Sequence, residues 1–177
     1  MKKEGTEYSN DQSKLGAFLQ WAKERGWQLR RNRTGQCQLD GSVTKRYQVP
    51  ESYLEFLGAV RSCISPQDTA WFLCEEDYAG GQELMFRWNE LELMSLAAAE
   101  DKGNKARMER IVRFWDGAMP FFVSVGGGYG FFALDTKEHP GAVLYGCEPY
   151  FEKAQQVAED LDGFLSLLMT GEIELAE

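Results

Sequence analysis

MPFFVSVGGGYGFFALD, Met119 to Asp135, decides how this chain is read. Two short apolar runs rich in Phe, Val and Tyr are joined across Gly126, Gly127 and Gly128, a pattern that favours two buried strands over a helix. A third strand is predicted at Ala142 to Cys147, after Pro140 and Gly141. Phosphate-cradling glycine loops run from a strand directly into a helix, with an acidic residue about 20 positions on. Here FFALD follows the glycines, so the stretch reads as a hairpin whose glycines supply backbone geometry. The predicted fold class is α+β, a mainly antiparallel sheet flanked by helices.

Outward from the hairpin, Asn10 or Asp11 is a candidate cap for a helix with Leu15, Phe18, Leu19 and Ala22 on one face, and Gly26 is its predicted stop. The stretch from Trp27 to Val43 reads as a small strand pair with a basic tip at Arg30, Arg31 and Arg33. Pro50 opens a helix to about Arg61, and Ser65 and Pro66 mark a turn. Strands are expected at Thr69 to Cys74 and Leu84 to Trp88, with an acidic loop between them at Glu75, Glu76 and Asp77. Helices are expected across Glu90 to Glu100 and Asn104 to Trp115, the latter with Met108, Ile111, Val112 and Trp115 on one face. A closing helix from about Glu152 to Met169 has Ala154, Val157, Ala158, Leu161, Phe164, Leu165 and Leu168 on one stripe.

At 177 residues with 44% hydrophobic content, the chain can bury a core as a single domain, residues 1–177. No run approaches the ~18 apolar residues of a membrane span, and MKKEGTEYSNDQ has no apolar region for a signal peptide. A cytosolic location is therefore expected. The scattered Cys37, Cys63, Cys74 and Cys147 form neither a redox pair nor a zinc cluster and read as free thiols. The formal net charge of −9 disfavours nucleic acid and anionic membranes and is compatible with a basic protein partner. Residues 62–177 hold 8 basic side chains against 21 acidic ones, so the negative charge belongs to that region.

Candidate chemistry is sparse. His139 is the sole histidine, beside Pro140 in a turn, and reads as a solvated turn residue, not a general base. Asp160 to Gly163 lacks the remaining oxygen ligands of a calcium loop. Asn32, Arg33 and Thr34 form a sequon without meaning in the cytosol. Trp71, Trp88 and Trp115 read as core or core-edge groups, one at an exposed rim being a candidate interface anchor. Glu75, Glu76 and Asp77 read as a solvated acidic loop, as a protein-contact surface or, with less support from their alternating directions, as a carboxylate site. With Tyr78 they are the candidate partner-binding residues, expected on an exposed rim. No catalytic, cofactor-binding or metal-binding residue is assigned.

VPESYLEFL at Val49 to Leu57, SVGGGYGFFALD, AVLYGCEP and VAEDLDGFLSLLMTGE, in this order, resemble the SUKH superfamily, the Smi/Knr cell-wall regulator family. The resemblance covers about residues 49–171 and rests on the spacing of Pro, aromatic and Gly residues. It implies an α+β fold and a non-enzymatic, protein-binding role. Bacterial members of that family are often immunity proteins that neutralise toxins, many of them nucleases, and fungal ones are interaction hubs. The chain departs from the family pattern in an N-terminal addition, residues 1–48, and in lacking an Asn-Gly pair after the first family helix. The leading expectation is an immunity protein that binds a basic toxin domain; a regulatory adaptor for a host protein, recognised through the N-terminal helix, is the alternative.

Overall fold

The computed structural model describes residues 13–80 and 86–175. The quoted hairpin is its centre: β4 (Ala118–Ser124) and β5 (Gly130–Asp135) pair antiparallel, with Phe122 opposite Phe132. Gly127 and Gly128 turn the chain at φ +78 and +128, a region where only glycine is unstrained. The expected third strand, β6 (Val143–Cys147), pairs with β5 and sets Tyr145 opposite Phe132. On the other side, β3 (Ala70–Phe72), β2 (Val60–Ile64) and β1 (Gln28–Arg31) follow in turn, and β7 (Gln155–Ala158) closes the far edge beside β6. Every pairing is antiparallel and every strand lies beside its sequence neighbour. The fold is α+β, as expected.

All six residues of β5 are buried, because helices cover both faces of the sheet. Phe131 and Ala133 face Leu91 of α5 (Glu90–Asp101) and Ile111 and Trp115 of α6 (Lys105–Trp115). Phe132 and Leu134 face the larger core, built by α1 (Lys14–Glu24), α3 (Glu51–Ala59) and α7 (Leu161–Thr170). A bulge in β4 between Pro120 and Phe122 breaks the alternation and gives both Phe121 and Phe122 to this larger core. Each such side chain contributes about 1.5–3 kcal/mol by leaving water.

Several expectations need correction. The helix α1 is capped by Ser13, whose side chain accepts the Gly16 N–H at 3.0 Å; Asn10 and Asp11 lie outside the described residues. It stops at Gly26, which has φ +77. The basic stretch after it is no self-paired hairpin: β1 pairs with β2, Arg31 opposite Val60, and a short helix, α2 (Gly41–Arg46), follows under an Asp40 cap. Of the residues read as an N-terminal addition to the family core, Gln28–Arg31 contribute β1 to the sheet, and Phe18, Ala22, Val43 and Tyr47 join the core. Pro50 precedes α3 as expected, but the helix ends at Ala59, and Val60 is already extended at φ −120 and ψ 122. A β-branched residue with buried neighbours suits a strand as well as it suits a helix face, and sheet pairing decides.

The expected strand at Leu84 to Trp88 lies partly outside the described residues, and Phe86 to Trp88 are not in a strand. On α6, Arg107 takes a buried place on the helix, while Val112 is 43% exposed. The closing helix is also shorter than its stripe: Val157 and Ala158 belong to β7, and α7 begins after Asp160, whose carboxylate accepts the Gly163 N–H at 2.7 Å. That cap is the structural role of the Asp160 to Gly163 motif. Between β5 and β6, the buried Asp135 carboxylate accepts the N–H groups of Lys137, Glu138 and His139 at 2.8, 3.0 and 3.0 Å, which leaves the His139 ring in solvent.

Candidate protein-docking groove

The sequence places its candidate contact at Glu75 to Tyr78, and the structure disperses those four side chains. They form a one-turn helix, α4 (Glu75–Tyr78), because the Asp77 carboxylate reaches back to accept the Cys74 N–H at 2.7 Å. Burial raises the Asp77 carboxyl above its ordinary value, outweighing that hydrogen bond, which lowers it. Glu75 accepts the Gln38 N–H at 3.1 Å, and Glu76 pairs with Arg61 at 2.5 Å in solvent. Exposed pairs of this kind contribute little to stability. Tyr78 is 1% exposed, its hydroxyl 2.6 Å from the Pro120 carbonyl and 2.8 Å from the Tyr53 hydroxyl. The expected rim of four is thus corrected: Tyr78 is core, Asp77 is a cap, and Glu75 and Glu76 line a polar groove of about 580 Å³ with Asn32, Thr34 and Arg61.

A larger groove, about 700 Å³, opens at the tip of the central hairpin. Its floor is the cross-strand pair Phe132 and Tyr145, rings 4.9 Å apart, extended by Val157 of β7. One wall is the glycine turn with Tyr129, Cys147 and Glu148. The other wall forms where α7 ends at Gly171, with φ +77, and the chain turns back so that the N–H of Glu172 bonds the Leu167 carbonyl at 3.0 Å. That turn sets Ile173 and Leu175 against the core and brings Glu172 and Glu174 to the groove. A Cβ at Gly128 would come 2.9 Å from the Glu148 carboxylate, which accepts the Tyr129 N–H at 3.2 Å, so a larger residue there would displace that side chain.

The lining combines apolar and acidic groups without a cation. Tyr129, Tyr145 and Val157 are 37%, 39% and 38% exposed, and Glu148, Glu172 and Glu174 border them. The surrounding segment, residues 148–177, has eight acidic side chains and one basic, Lys153. Burial raises the Tyr145 hydroxyl pKa, with Cys147 adding to the effect, so the phenol remains a neutral donor. The glycine turn was legible as a turn, but the groove joins residues from four strands and the segment beyond α7. Only sheet pairing brings them together.

Among the described residues, no group of three or more His, Cys, Asp or Glu is placed to hold a metal ion, and no helix is long and apolar enough to cross a membrane. All four cysteines are free thiols. Burial pushes Cys63 up to about 12, burial with help from Glu75 does the same to Cys37, and Cys74 is raised as well. Cys147 alone is exposed. Alkylation of the native protein at pH 8 is therefore expected to modify one thiol of the four rapidly, and peptide mapping should find it at Cys147. Equal rates at Cys37 would show that its environment opens in solution. No family model, curated protein or solved structure matches the chain.

Proposed function

We propose that this chain is a non-enzymatic protein-binding domain of the immunity type, which neutralises a basic toxin domain by docking it at the hairpin groove. The observation that carries the reading is the groove lining, with two tyrosines and a valine exposed beside three carboxylates and no cation. Aromatic groups of this kind anchor interfaces, and complementary charge speeds association and suppresses wrong partners. A nuclease domain presents a basic face to its substrate, which an acidic surface can cover without chemistry. The architecture is compatible with the one that the SUKH resemblance implies, and four free thiols are compatible with a cytosolic place. The adaptor reading relied on the N-terminal helix, but α1 spends its apolar face against α7 and the core, which weakens that alternative.

The test is co-expression with the toxin domain encoded beside its own gene. Growth should be restored, and the combined Glu148→Lys, Glu172→Lys and Glu174→Lys variant should bind the toxin about tenfold or more weaker, since like charges brought together cost several kcal/mol. Reversal of Glu75 and Glu76 should have a smaller effect. Unchanged affinity of the triple variant would remove the groove as the site. Failure to restore growth would remove the immunity reading.

A further inference from the structure

The two edges of the sheet are protected differently. The edge strand β1 reads QLRR and presents Arg30 and Arg31 to solvent, charges that discourage another strand from pairing there. The opposite edge, β7, reads QQVA: it has no charge and no proline, and Gln155, Gln156 and Val157 are exposed. Among the described residues, its backbone pairs with β6 alone. Its register sets Gln155 opposite Tyr145 and Ala158 opposite Val143, which leaves Val157 as the extra residue of a bulge, and that residue lines the groove. The open edge and the groove are therefore continuous, with Val157 belonging to both.

We propose that the partner enters as an extended basic segment that pairs with β7 as an additional strand, a step that rests on the docking reading above. A strand beside β7 would lie about 4.8 Å away, with every second side chain on the groove face. Those side chains meet Val157 and Tyr145, and the carboxylates of Glu172 and Glu174 stand on the same groove. Glu159 and Asp160, both exposed, follow directly at the end of the strand. Alternating Lys or Arg with an apolar residue satisfies this surface: the apolar groups cover the valine and tyrosine, and the cations face the carboxylates.

The experiment uses the full protein and the synthetic peptide Lys-Val-Lys-Val-Lys-Val-Lys. Its controls are the same peptide with Glu for Lys, and the Lys peptide with alternate backbone nitrogens methylated. Amide hydrogen exchange of Gln155 to Ala158 reports strand pairing, and the alkylation rate of Cys147 reports occupancy of the groove. The Lys peptide is expected to slow exchange of the outward-facing β7 amides about tenfold or more and to protect Cys147, while both controls do neither. Val157→Lys, a surface change that leaves the core intact, should weaken the Lys peptide about tenfold by setting a cation on the edge. Protection of Cys147 without slowed β7 exchange would overturn the strand addition and leave the docking groove standing. No effect on either would also overturn the strand addition, the groove itself being decided separately by the toxin-binding assay. Self-association of the protein alone with slowed β7 exchange would assign the edge to a second copy and overturn the proposal.

Discussion

Arg107→Ala is expected to destabilise the protein by about 3–5 kcal/mol, read as a lower urea midpoint at unchanged slope. The guanidinium is 7% exposed and donates to Glu152 at 2.8 Å and to the Pro149 carbonyl at 2.9 Å. It also lies 4.8 Å from the centre of the Tyr150 ring, and the Lys153 ammonium lies 4.5 Å from that same centre. Removing it leaves the Glu152 carboxylate buried and unpaired, and one oxygen of that carboxylate already has no partner. The cost of that stranded charge dominates, not the intrinsic worth of the pair. Replacing both partners, Arg107→Met with Glu152→Leu, should therefore recover most of the loss. A cost below about 1 kcal/mol for Arg107→Ala would show that water reaches Glu152 and that the pair acts as a surface pair does. The prediction bears on function, because Arg107 holds the loop that delivers β7 to the sheet edge.

Phe72→Ala is the second large effect, about 3–5 kcal/mol. Phe72 is 2% exposed, and its ring lies within 6.4 Å, centre to centre, of Phe18, Trp27, Phe56, Phe121, Phe122 and Phe164. Those rings come from α1, the segment before β1, α3, β4 and α7, so one deletion opens a cavity shared by elements far apart in sequence. Aromatic pairs add about 0.5–1.5 kcal/mol beyond burial, and several are lost together. Thermal unfolding should register each kcal/mol as roughly 2–4 °C in a chain of this length. Phe72→Leu, which refills part of the space, should cost less. Equal costs for Leu and Ala would show that ring geometry and not volume holds the core.

The central hairpin and β6 were legible because both carry strong local signals, aromatic runs punctuated by glycine. Elements whose identity depends on distant pairing were not. The residues Gln28 to Arg31 alternate as a strand should, yet their partner is Val60 to Ile64, which no local pattern names. Val60 continues the apolar period of α3, and Val157 and Ala158 continue that of α7, so periodicity alone assigned all three to helices. For α7, a usable signal was present: Asp160 precedes Leu161, Phe164, Leu165 and Leu168, which recur at helical spacing, and reads as a cap. The acidic trio failed as an exposed rim for a related reason. Composition reports charge, but it does not report that Asp77 is spent on a backbone N–H or that Tyr78 points inward. The groove was beyond local reading altogether, being made by residues from 124 to 175 that meet only once the sheet is assembled.

The adjacency of α1 and α7 sets an order of events during synthesis. Each strand of the sheet can pair with the one made just before it, so the sheet can grow as the chain emerges, the connections from β1 to β2 and from β3 to β4 being the long ones. α1 meets β1 and Phe72 early, but its larger contact is with α7. It is translated first and keeps part of its apolar face uncovered until Leu161 to Thr170 have been made, more than a hundred residues later. Closure of the larger core is therefore a late step, in which the first helix waits for α7, and a nascent chain halted before Leu161 would expose that surface to chaperones and proteases.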